Sequence, residues 1–181
     1  MEQNKDLPLE LQENEEIEKE EIINYLSFLG KIMSKHEKAF SSIVSNDVTV
    51  YDIIISYSFA VKNFMSKVLP LQWWDKNFQA ADETDIIESF ADCTFHFLNV
   101  ISTQNQEFFD NAIVGINQVV NDLMKQTYDK KDLIFSTLSG ENAVSIPTQY
   151  AVCLYVLLKE VPDFTERDIE LIFNFKLKNL K

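Results

Sequence analysis

The stretch Asp85-Ile86-Ile87-Glu88-Ser89-Phe90-Ala91-Asp92-Cys93-Thr94-Phe95-His96-Phe97-Leu98-Asn99-Val100-Ile101-Ser102 decides the fold class. Asp85, Glu88, Asp92 and His96 recur at three- and four-residue steps, while Ile87, Phe90, Phe97, Leu98 and Ile101 fall on the opposite side of the same helical wheel. A helix separates these two sets; a strand would need them to alternate at every second residue. Asp85-x-x-Glu88 has the form of a capping box, which opens this helix near residue 84 and lets it run to about 103.

The same period extends in both directions. Upstream, Ile22, Tyr25, Leu26, Leu29, Ile32, Met33, His36 and Phe40 share one face of a helix expected near 15–44. Ser45-Asn46-Asp47 breaks it, and a second helix runs from about 48 to 68, ending before Pro70. Ile53, Ile54, Ile55, Phe59 and Phe64 make that second helix apolar nearly all round, so it is predicted to be the central one. Residues 71–81 form a connector with Trp73 and Trp74. Downstream, Phe109, Ile113, Ile116, Val120 and Leu123 mark a helix near 106–128. Shorter helices follow near 130–138, stopped by Gly140, and near 145–159, with Pro147 in its first turn. Thr165 caps the last, whose Lys176, Lys178 and Lys181 suit a helix C-terminus. The expected fold is all-α, a multi-helix bundle built on 15–44, 48–68, 84–103 and 106–128.

Composition sets the boundaries of function. The chain has 181 residues, with three glycines and four prolines. That scarcity of turn formers argues against sandwiches and barrels, and Gly30, Gly115 and Gly140 cannot spell a P-loop or a GxGxxG. Net charge is −13, and Arg167 is the one arginine among 16 basic residues, which argues against nucleic acid as a partner. Residues 1–21 hold nine acidic and two basic residues. We read 1–13 as a flexible acidic arm and 14–181 as one helical domain. Cys93 and Cys153 lie inside apolar runs and are expected as buried thiols in a reducing compartment. No apolar run reaches membrane-spanning length and the N-terminus is acidic, so a cytoplasmic location without a membrane partner is expected.

His36 and His96 lack the Glu-x-x-His spacing of a di-iron bundle, being preceded three residues earlier by Met33 and Cys93. They also have no partnered nucleophile of the kind a hydrolase triad needs. The stripe Asp85, Glu88, Asp92 and His96 has two readings: carboxylates that hold magnesium together with a facing helix, or a solvated helix face. Glu107 and Asp110 open the next helix, where first-turn acids are favoured by the helix dipole.

The order of these elements resembles the all-α NTP pyrophosphatases, specifically the dimeric dUTPases. The resemblance spans residues 20–181. It rests on the connector Leu71-Gln72-Trp73-Trp74-Asp75-Lys76, on the helix Ile87-Glu88-Ser89-Phe90-Ala91-Asp92-Cys93-Thr94-Phe95-His96-Phe97, and on Phe164-Thr165-Glu166-Arg167 leading into Phe173-Asn174-Phe175-Lys176-Leu177-Lys178-Asn179. It implies Glu88 and Asp92 as remnants of a magnesium site, and Trp74, Lys76, Lys176 and Lys178 as nucleotide-binding candidates. It also implies a two-fold homodimer with the 48–68 helix and the two tryptophans near its interface.

The departures from the family pattern fall on the metal ligands. The positions of the first Glu-x-x-Glu and its further acid hold Ala60, Asn63 and Lys67, and a second-motif glutamate is Ser89. His96 stands one residue further from Asp92 than the pattern has it, Ser34 takes the place of a base-reading glutamine, and the Arg-Gln-x-x-Gly-Tyr motif does not occur up to Lys181. No residue is assigned as catalytic. Glu88 and Asp92 are expected to face Ala60, Asn63, Phe64 and Lys67, with the Lys67 ammonium standing where magnesium would. Three readings follow. The first is a dUTPase-like homologue without catalysis and without a cofactor, acting through protein contact, with the acidic charge suiting a basic protein partner. The second is an active magnesium-dependent dUTP or NTP pyrophosphatase. The third is an unrelated helical adaptor.

Overall fold

The computed structural model describes Leu29, His36 and residues 47–69, 81–139 and 145–179. These form six helices in chain order: α1 (Val50–Val68), α2 (Glu83–Ser102), α3 (Gln106–Met124), α4 (Lys130–Ser139), α5 (Ile146–Glu160) and α6 (Glu166–Asn179). Among the described residues there is no strand, and no helix is long and apolar enough to cross a membrane. Leu29 and His36 are both helical and fully buried; the rest of the helix expected near 15–44, the arm 1–13, Ser34 and the connector with Trp73, Trp74 and Lys76 lie outside the described residues.

Each helix start is set by a side chain that accepts an otherwise unpaired backbone N–H. For α1 the cap is Thr49, not the Ser45-Asn46-Asp47 expected from sequence. Its hydroxyl accepts from the Asp52 amide, and Asp52 Oδ2 accepts from the Thr49 amide at 2.8 Å. For α2 the cap is Asp82, whose carboxylate accepts from the Asp85 amide at 2.9 Å. The sequence reading placed that cap one turn too late, at Asp85. Asn105 caps α3 and Ser145 caps α5, with Pro147 in the first turn as expected. Thr165 donates both its amide and its hydroxyl to Asp168 Oδ2 at the start of α6. α3 ends at Met124, four residues before the expected Tyr128.

The central helix is α5, not α1. Tyr150, Ala151, Val152, Cys153, Leu154, Tyr155, Val156 and Leu157 are all buried in succession, so every side of α5 is covered. It packs against α1, α2, α3 and α4. α1 is two-faced instead. Tyr57, Phe64 and Met65 are fully buried, while Tyr51, Ile55 and Phe59 on its other side are exposed. The physical reason is coverage: α5 carries an unbroken nine-residue apolar run from Tyr150 to Leu158, which only burial on all sides can hide from water.

Aromatic rings join α1, α2 and α5. Phe97 stacks on Tyr150 at 4.2 Å between centroids, Phe64 meets Phe90 edge-on at 5.4 Å, and Tyr57 lies 6.2 Å from Phe97. The two fully buried phenols are satisfied: Tyr57 donates to the Ile146 carbonyl at 3.2 Å, and Tyr150 shares a 2.9 Å hydrogen bond with Thr94. Cys93 and Cys153 are free, buried thiols, and burial pushes the Cys93 thiol well above its usual range. Lys130 opens α4 by donating to the Val68 carbonyl at the end of α1 and to Glu160 at the end of α5, so one cation ties three helix ends together.

Two substitutions test this packing by urea denaturation. Phe97→Ala removes the ring stacked on Tyr150 and is expected to cost about 3–5 kcal/mol. Gly115 lies inside α3, with no atom within 4 Å of the position an added Cβ would take. Gly115→Ala is therefore expected to stabilise the chain by about 0.5–1 kcal/mol, since alanine gains helix propensity with nothing displaced. A loss on Gly115→Ala, or a change below about 1 kcal/mol on Phe97→Ala, would contradict the packing described.

Candidate functional site

The stripe Asp85, Glu88, Asp92 and His96 on α2 continues to Asn99 and changes character along its length. At the N-terminal end, Asp85 and Glu88 are exposed. From Asp92 onward α6 and His36 cover it. Lys176 of α6 donates to Asp92 Oδ1 at 2.5 Å. Asn99 is buried and accepts from His36 Nε2 at 2.6 Å, while Ser102 Oγ stands 3.4 Å from His36 Nδ1. Phe95 and Phe173 flank the same imidazole, with ring centroids 5.3 and 6.4 Å away. The two sequence readings of this stripe thus divide it: the first half is a solvated face, and the second is a polar seam between helices.

The opposing wall differs from the expectation. α2 turns Phe90 and Phe97 toward α1, where they meet Phe64 and Tyr57. Asp92 lies roughly 160° around the helix from Phe90, at about 100° per residue. Ala60 is buried, Asn63 is exposed and Lys67 is half-buried on α1. The cation on Asp92 is Lys176, not Lys67, because the side of α2 that bears Asp92 faces α6. Ser89 is buried and donates to the Ile86 carbonyl at 2.8 Å, a local bond within its own helix. Lys178 is exposed, and Trp74 and Lys76 lie outside the described residues.

The magnesium that the resemblance implies finds no fitting donor set here. Among the described residues no group of three or more His, Cys, Asp or Glu side chains converges on a point that could hold a metal ion. Glu88 is exposed, and Asp92 carries an ammonium. Magnesium requires several oxygen ligands in near-octahedral array.

No family model matches this chain, and comparison with curated proteins and with solved structures finds no match. Function is therefore argued from the residues themselves.

Electrostatics in the seam are dominated by burial. Burial lowers the His36 pKa below its ordinary value; the Asn99 hydrogen bond opposes the shift and the His96 charge adds to it. Burial also lowers that of His96, with Asp92 opposing and Lys176 adding. His96 Nδ1 is buried with no hydrogen-bond partner among the described residues, so protonating it would bury an unpaired N–H. The sequence reading singled out both histidines, but nothing in the spacing pointed to Asn99 or Lys176 as partners. Those pairs span 63 and 84 residues.

These shifts fix the sign of a pH dependence. Both folded pKa values lie below 6.5, the value of an unperturbed histidine. Below that pH the unfolded chain binds more protons, so stability is complete above pH 6.5 and falls as pH drops through the folded values. Asp52, held low by the Thr49 hydroxyl and amide, acts only below its ordinary value of 3.8. The urea midpoint is expected to fall between about pH 7.5 and pH 5, and the fall to be shallower in His36→Gln and His96→Gln. An unchanged slope in both variants would show that these histidines do not set it.

Proposed function

We propose that this chain is a dUTPase-like homologue of the all-α NTP pyrophosphatases that has lost catalysis and works through protein contact, as a homodimer and toward a basic partner. One observation carries the reading: the Asp92–Lys176 ion pair. The resemblance assigns these two residues to different motifs, an acidic metal motif and a late lysine motif, 84 residues apart in the chain. Their contact at 2.5 Å is what a shared ancestral site would leave behind. The same contact explains how an acid can persist without an ion, because an ammonium on Asp92 neutralises the charge that magnesium would otherwise balance.

Chemistry supports the loss. Phosphoanhydride hydrolysis at neutral pH needs a cation to neutralise the phosphate chain and an activated water. Ala60, Asn63 and Lys67 supply no carboxylate from α1, and Ser89 supplies none from α2. Losing such a site costs about 5 kcal/mol or more in barrier. The exposed acids Asp82, Glu83, Asp85 and Glu88 at the start of α2 suit a basic protein surface.

The deciding assay offers dUTP, dUDP and other nucleoside triphosphates with magnesium and measures pyrophosphate and phosphate. No release above a buffer control is expected, and Glu88→Ala should alter stability or partner binding without altering turnover. Robust hydrolysis that Glu88→Ala or Asp92→Ala abolishes would establish the active pyrophosphatase instead.

A further inference from the structure

α5 is gripped by four helices, whereas α6 packs substantially against α2 alone among the described helices. Its buried ridge is Ile169 and Phe173, with the Phe173 ring 6.2 Å from that of Phe95 on α2. Beside the ridge, Lys176 donates to Asp92 at 2.5 Å. The two histidines in this seam are fitted differently for a second proton. His36 Nε2 donates to Asn99 at 2.6 Å, and its Nδ1 faces Ser102 Oγ at 3.4 Å. The Ser102 hydroxyl donates to the Leu98 carbonyl at 2.8 Å, so its oxygen turns a lone pair toward Nδ1. A charged His36 would thus meet an acceptor on either side. His96 has no such provision: its Nδ1 is buried with no hydrogen-bond partner among the described residues. It stands one turn from Asp92, a carboxylate that already holds a cation. A proton on His96 buries an unpaired N–H and adds a second positive charge to the corner that Lys176 occupies.

We propose that α6 is an acid-released arm: in mild acid it leaves α2 as a unit at the His96–Asp92–Lys176 corner, while α1 to α5 stay packed. Release brings Ile169 and Phe173 of α6 and Phe95 of α2 into water together, so acid uncovers an apolar surface that is sealed at neutral pH. The other charged groups of α6 stand off this corner. Glu170 is half-buried about 120° around the helix from Lys176, Arg167 and Lys178 are exposed, and Asp168 is held by Thr165 at the helix start. His36 is the remaining titrating group that acts on His96, and charge on either disfavours charge on the other.

The direction follows from which form binds protons. With α6 in place, burial holds the His96 pKa below 6.5, Asp92 opposing and Lys176 adding. With α6 away, the imidazole meets water and recovers its ordinary value. Above pH 6.5 both forms are neutral and release gains nothing. Below it the open form binds more protons, so release grows as pH falls through the value of the closed form. The Asp92–Lys176 pair cannot prevent this, because it is partly exposed and screened. Global unfolding is favoured by the same protons, but it also requires α5 to give up its buried run, so the arm opens first.

Segment-resolved hydrogen exchange on the full chain tests this, at low urea and between about pH 7.5 and about pH 5, with each rate divided by its intrinsic rate at that pH. Amides of α6 are expected to lose protection about threefold or more over that range and to stay well below those of α5 at every pH. Their exchange should depend little on urea, because a local opening exposes little surface, whereas exchange of α5 should depend on it strongly. His96→Gln, which takes up no proton, should remove most of the pH response of α6. Lys176→Met, which removes the like charge, should make it shallower, and Lys176→Arg, which keeps the charge, should retain it. Should His96→Gln free α6 already at about pH 7.5, the comparison of Lys176→Met with Lys176→Arg decides. Exchange of α6 with the protection and urea dependence of α5 would show global unfolding alone and overturn the proposal. So would a pH response of α6 that is the same in His96→Gln and Lys176→Met as in the parent chain. The proposal takes nothing from the loss of catalysis, and the hydrolysis assay bears on that reading separately.

Discussion

Burial of α5 organises the rest of the chain. Eight consecutive residues from Tyr150 to Leu157 are hidden from solvent, and each large aliphatic or aromatic side chain among them gains about 1.5–3 kcal/mol by leaving water. A helix buried on every side needs neighbours on every side. α1, α2, α3 and α4 supply them, each turning an apolar face inward. The contacts with α2 are aromatic, and the stacked pair Phe97–Tyr150 is the tighter of its two ring contacts with Tyr150 among the described residues. The two phenols in this region reach a carbonyl or a hydroxyl, so their burial leaves no polar atom to be paid for elsewhere.

α2 has to serve two environments at once. One side carries Phe90 and Phe97 into the aromatic core, and the other carries carboxylates, a histidine and an amide. Water covers the first half of that polar side, and α6 with His36 covers the second. The Asp92–Lys176 pair is 43% and 27% exposed at its two side chains, so screening leaves it about 0–1 kcal/mol of stability. Its weight is chemical: it occupies the acid that a pyrophosphatase reading would assign to magnesium. The neighbouring histidines are held neutral by burial, which makes the seam a low-charge joint at neutral pH and a strained one in acid.

The exposed row on α1 is the counterpart of the buried run on α5. Both are apolar, and by composition alone α1 has the stronger claim to the centre, with Ile53, Ile54 and Ile55 in succession. Ser56 and Ser58 interrupt the apolar sequence of α1, whereas nothing interrupts that of α5 from Tyr150 to Leu158. A helix with interruptions can leave one side exposed; one without them cannot. This difference leaves Tyr51, Ile55 and Phe59 facing solvent on the far side of α1 from Tyr57 and Phe64.

The sequence by itself determined the helical class, the approximate spans of the six helices from Val50 onward, the burial of both cysteines and the positions of the two faces of α2. Those are local properties: period, propensity and capping chemistry act over a few residues and are written in their order. Which helix would be central, which cation would meet Asp92, and where the His36 hydrogen bond would go were decided only by the tertiary structure. Asp92 and Lys176 stand 84 residues apart, His36 and Asn99 63 apart. The sequence pairs Lys67 with Asp92, and the tertiary structure puts Lys176 there instead. The choice between them follows from Phe90 packing on Phe64, because ring burial fixes the rotation of α2 and so turns Asp92 toward α6.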